Sequence, residues 1–80
     1  MMIRQQWINL CEELAIPIQV SRLIYKNIEA AYTAADRHYH NLNHIEDCLT
    51  QLGYYQQTQY ISKADTQILQ LAIWFHDYVY

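Results

Sequence analysis

The chain has little that would let it turn sharply: one glycine, Gly53, and one proline, Pro17, in 80 residues. Those residue types punctuate hairpins and tight loops, so a fold built of many short strands lacks its turn material. Charge is scarce too, with Lys, Arg, Asp and Glu making up 16% of the chain against about 25% in ordinary soluble domains. Only five residues are Lys or Arg, and the formal net charge is -3. There is no basic footprint for holding nucleic acid by its phosphates. An acidic balance still leaves room for a small phosphorylated substrate, because a bound cation sets the local field.

Long apolar runs are missing as well. The longest, LAIWF (Leu71 to Phe75), falls far short of the ~20 residues that span a bilayer. The opening stretch MMIRQQWINLCEEL is broken by Arg4, Gln5, Gln6, Asn9 and two glutamates, and does not read as a signal peptide. Cys11 and Cys48 stand singly in apolar helical patterns. They read as buried thiols of a reducing compartment, not as a disulfide or a zinc half-site. The expectation is a cytoplasmic protein with neither a membrane nor a nucleic acid as partner.

What the chain has in excess is apolar side chain, 52% of its residues. A chain this short buries only about 60% of the surface its unfolded form exposes. It is therefore expected either to form a homo-oligomer or to be one part of a larger domain whose remaining helices cover it.

The apolar residues recur with the period of a helix, which predicts an all-α bundle of about four helices. Ile3, Trp7, Leu10, Cys11 and Leu14 form one stripe that ends before Pro17, where a proline stops a helix. Val20, Leu23, Ile24, Asn27, Ile28 and Ala31 mark one face of a second helix starting at or after Pro17, and the two helices are expected to pair as a hairpin. YTAADRHYHNLNH reads as a loop feeding a third helix. That helix carries Leu42, Ile45, Leu49 and Leu52 and is expected to end at Gly53 in a left-handed cap. YYQQTQYI reads as a surface connection. Ser62, with Asp65 three residues on, forms a variant capping box ahead of the fourth helix. Ile68, Leu69, Leu71, Ala72, Ile73, Trp74 and Phe75 point all round that helix, as in a helix buried on every side.

Four histidines occur, three of them (His38, His40 and His44) within seven residues. His40 and His44, at i and i+4, share a helical face. His76 and Asp77 close the apolar fourth helix. A buried Asp is rare unless it is paired or bound to a cation. A single histidine on an apolar face is more often a satisfied core residue than a ligand, so the joint pattern carries the weight.

RHYHNLNHI (Arg37 to Ile45) followed by LAIWFHDYVY (Leu71 to Tyr80) resembles the predicted metal-dependent phosphohydrolases of the HD superfamily, from about Trp7 onward. The resemblance implies that residues 1–80 are the N-terminal portion of one HD-type helical domain, with metal-motif segments 37–45 and 71–80. It implies His44 as first metal ligand and His76 and Asp77 as the paired ligands of a divalent ion (Mn, Fe, Mg or Zn). Arg37 and His40 match the polar segment near that site and are candidates for substrate or outer contacts, with Arg37 and Asp77 assigned catalytic roles. His38 falls on the loop surface. Trp74, Phe75, Tyr78 and Tyr80 match packing and pocket wall, with Trp74 and Phe75 expected in the core.

The implied reaction is hydrolysis of a phosphate ester, nucleotide-like in type, by metal-activated water. The family supplies a last aspartate ligand downstream of this motif, for which neither Asp47 nor Asp65 is a counterpart, so the isolated chain is expected to be inactive. Two alternatives stand beside this. One is a truncated, non-catalytic helical module for self-association or interaction; the other is a structural metal held by His40, His44 and His76.

Overall fold

The computed structural model describes residues 3–33, 41–76 and 78. Among the described residues the chain is all-helical, with four helices and no strand: α1 (Ile3–Glu13), α2 (Ile18–Tyr32), α3 (Leu42–Thr58) and α4 (Lys63–Phe75). No helix among them is long and apolar enough to cross a membrane.

α1 buries the expected stripe, Trp7, Leu10 and Cys11, with Ile3 and Leu14 packed against it. It ends before the proline has any influence. The amide of Ile16 donates to the carbonyl of Cys11 at 2.9 Å and that of Ala15 to Glu12 at 3.1 Å, the crossed pair of bonds of a Schellman cap. Ala15 occupies the left-handed position, φ 59°, which glycine usually fills. Pro17 instead precedes α2, its carbonyl accepting from the amides of Val20 and Ser21.

α2 packs on α1, and α3 on α4. The first pair is tied by the Trp7 indole, which donates to the carbonyl of Ser21 at 2.9 Å inside the core. The inward face of α2 is Ser21, Tyr25, Ile28 and Tyr32, rotated from the expected one. Val20 and Leu23 face outward, Leu23 at 62% exposure. The two tyrosines carry more apolar area than the aliphatics they displace, and the Tyr32 hydroxyl meets a backbone carbonyl in the core.

α3 starts at a cap from Asn41, whose side-chain oxygen accepts from the amide of His44 at 3.1 Å. It runs through Gly53 without a positive φ and ends at Thr58, which corrects the expected stop at Gly53 and draws much of YYQQTQYI into the helix. α4 opens on the expected cap, Ser62 Oγ accepting from the amide of Asp65 at 3.1 Å.

α4 is not buried all round. Thr66 and Trp74 are its buried residues, while Ile68 is 62% and Phe75 40% exposed. Too few described neighbours surround it to cover its apolar circumference. The Cα radius of gyration, 12.8 Å, exceeds the ~11.6 Å of a compact chain of this length, as open packing requires. The core centres on Trp74, whose ring meets Trp7 edge-on at 5.3 Å and Tyr25 at 6.3 Å. Cys11 is buried as expected, whereas Cys48 is only half-buried.

Candidate metal centre

The end of α4 is held by contacts from three directions. A helix leaves its last four carbonyls without partners inside the helix, and here three consecutive ones find them. The Ile73 carbonyl accepts from Nδ1 of His76 at 2.7 Å. The Trp74 carbonyl accepts from the Tyr32 hydroxyl at 2.9 Å, within the core. The Phe75 carbonyl accepts from the amide of Tyr78 at 3.1 Å.

These contacts define the state of the His76 imidazole. A carbonyl only accepts, so Nδ1 carries the proton, and in the neutral ring Nε2 presents its lone pair. A histidine whose far nitrogen donates to a backbone carbonyl is oriented as metal-ligating histidines generally are.

Nε2 of His76 points at Nε2 of His44, 3.3 Å away, across thirty-two residues of sequence. The two rings are tilted at 58° with centroids 5.3 Å apart. His44 reaches this place because Asn41 caps the first turn of α3 and the neighbouring Ile45 is fully buried, which fixes the rotation of the helix. His44 itself is half-buried and His76 exposed, so the pair sits at the rim of the core.

At 3.3 Å the contact fits an N–H···N hydrogen bond, in which Nε2 of one ring donates to Nε2 of the other, and the same spacing also suits two donors on one cation. Imidazole nitrogens bind zinc at about 2.0–2.1 Å, so two on one ion stand roughly 2.9 Å apart at a right angle and roughly 3.4 Å at the tetrahedral angle. The observed spacing lies inside that range, and the donor set suits a borderline divalent metal.

Cys48, one helical turn after His44, places Sγ 3.8 Å from the same Nε2. Its apolar surroundings in the sequence predict a core thiol; the signal for this contact is its i+4 spacing from His44. Among the described residues, no group of three or more His, Cys, Asp or Glu side chains could hold a metal ion. Arg37, His38, His40, Asp77 and Tyr80 lie outside the described residues.

The aromatic wall divides. Trp74 is core, as expected, whereas Phe75 is partly exposed and stacks edge-on against Trp7 at 5.8 Å and Tyr78 at 5.7 Å. Tyr78 also meets Tyr32 at 6.4 Å, so it packs on the residue that holds the end of α4.

No protein-family model matches the chain, and no curated protein or solved structure matches it.

Proposed function

We propose that the chain is the N-terminal part of an HD-type metal-dependent phosphohydrolase acting on a phosphate ester of nucleotide-like type. His44 and His76 supply the imidazole ligands of one divalent ion, with Asp77 as the adjoining carboxylate. The observation that carries this reading is the approach of the two Nε2 atoms to 3.3 Å, with the His76 ring held by the Ile73 carbonyl. Both histidines are among the metal ligands that the motif resemblance implies, His44 as the first and His76 in the pair with Asp77.

When bound, such an ion acidifies water and offsets charge on phosphoryl oxygens. The chain's own residues orient the donors. The Ile73 carbonyl keeps the proton of His76 on Nδ1, and Asn41 fixes the turn that carries His44. Arg37 and His40 are assigned to the phosphate of the substrate, where a guanidinium makes paired hydrogen bonds.

Metal analysis tests the reading. The purified chain is expected to take up one divalent ion, zinc or manganese being the probes, and His44→Ala and His76→Ala are each expected to abolish uptake. Undiminished uptake by both variants overturns it.

A second reading, a non-catalytic helical module that self-associates, is favoured by the exposed apolar residues Tyr54, Tyr55, Ile68 and Leu69 on α3 and α4. Sedimentation equilibrium separates the two. A concentration-dependent dimer that binds no metal selects the second reading.

A further inference from the structure

The hairpin of α1 and α2 carries a charged groove remote in sequence from both histidines. Two adjoining cavities, of about 300 and 310 Å³, share Arg4 and Arg22 as walls. The first continues over Gln5, Ile8 and Ile18; the second over Tyr25, Lys26 and Glu29. Three of the chain's five basic residues thus line one groove in a protein of net charge -3. Glu29 is the one carboxylate among the described residues that line it.

The helices set this convergence. Arg22 and Lys26 stand at i and i+4 on α2 and so share a face. Arg4 comes from the first turn of α1. The buried phenol of Tyr25 lies within electrostatic reach of both signs: burial and the Glu29 carboxylate push its pKa up, while Arg4 draws it down.

We propose that this groove binds a phosphomonoester carrying an apolar or aromatic body. The three terminal oxygens of a phosphate accept several charge-assisted hydrogen bonds at once, and guanidinium and ammonium groups such as those lining this groove are the donors suited to them. Each cavity reaches the lower end of the ~300–1,000 Å³ typical of small-molecule sites, so inorganic phosphate alone fills only a fraction of the groove. Ile8 and Ile18 supply an apolar wall beside the cations, where the body of the ester lies. The site does not depend on the metal reading, because none of its residues belongs to α3 or α4.

Titration of the full chain with phenyl phosphate in the presence of EDTA, followed through the arginine Nε–H signals by NMR, tests the proposal. Saturable shifts of Arg4 and Arg22 are expected, with inorganic phosphate binding more weakly and phenol producing none. Arg22→Gln is expected to weaken binding about tenfold, roughly 1.4 kcal/mol. Lys26→Gln weakens it less, and Glu29→Gln strengthens it by removing a repelling carboxylate. All three positions are exposed on the surface of α2, where such changes leave the fold intact. Shifts that do not saturate, or that persist unchanged in Arg22→Gln, overturn the proposal.

Discussion

The hydroxyl of Tyr32, at the end of α2, donates to the carbonyl of Trp74, forty-two residues later, at 2.9 Å. This bond is the polar joint between the first helical hairpin and the end of α4, and it lies two residues from His76. Tyr32→Phe keeps the ring and its packing but leaves a buried carbonyl without its donor, which costs about 1–3 kcal/mol. Urea denaturation is expected to register that loss. Because the same bond steadies the turn that carries His76, the divalent-metal affinity proposed above is expected to fall as well; a variant that loses stability but keeps full affinity contradicts the coupling.

Asn41 plays the matching part for His44. Removing an N-cap side chain costs about 1 kcal/mol, so Asn41→Ala is expected to lower both stability and metal affinity. Asn41→Ser, which can accept the same amide proton, is expected to retain most of both. Calorimetric metal titration of the two variants checks this.

Ala15 holds a left-handed conformation, φ 59°, that strains any residue with a Cβ. Ala15→Gly removes the strain and keeps both cap bonds, which is expected to stabilise the chain by about 1 kcal/mol. For a domain of this size that raises Tm by roughly 4–8 °C. A thermal melt that is unchanged or lowered refutes it.

The two cysteines are expected to behave differently. Cys48 is half-buried and Cys11 buried, so a thiol reagent modifies Cys48 in the native protein and Cys11 only on unfolding. Burial raises the Cys11 thiol above its ordinary pKa of 9.0, so the folded protein keeps a proton that the unfolded chain releases. The stability this contributes is complete below about pH 9 and is lost as pH rises through the folded value. Tyr25, raised from 10.0 chiefly by burial, acts in the same sense at higher pH. The urea midpoint is expected to fall from neutral pH to about pH 10, and less steeply in Cys11→Ala.

The stripe of α1 was legible because Trp7, Leu10 and Cys11 recur on one face with nothing to compete. On α2, Ile28 is buried and Ile24 packs on the core as expected, but Val20 and Leu23 lost the inner face to Tyr25 and Tyr32, whose size suits the junction with Trp74. Glycine misled in the other direction. The left-handed cap sits at Ala15, where no glycine advertises it, while Gly53 lies within a helix where, beyond its chain neighbours and the helix's own backbone, a Cβ would meet open space among the described residues. The full burial expected of α4 overstated what its described neighbours can cover. At the candidate site, the motif resemblance implies His44 and His76 as ligands of one ion; the approach of Cys48 to His44 and the bond from His76 to Ile73 are local, at four and three residues' separation, whereas the meeting of the two rings depends on packing across thirty-two residues that no local pattern encodes.

That lock ties order in the helix to occupancy of the imidazole. Withdrawal of electron density from Nε2 makes the Nδ1–H a better donor, so a cation bound to the pair as proposed would tighten the bond to Ile73 and the last turn of α4 would fray less. By linkage, whatever binds the folded arrangement alone also stabilises it. Amide hydrogen exchange near the end of α4 is therefore expected to slow on metal addition, making local protection a reporter of the ion.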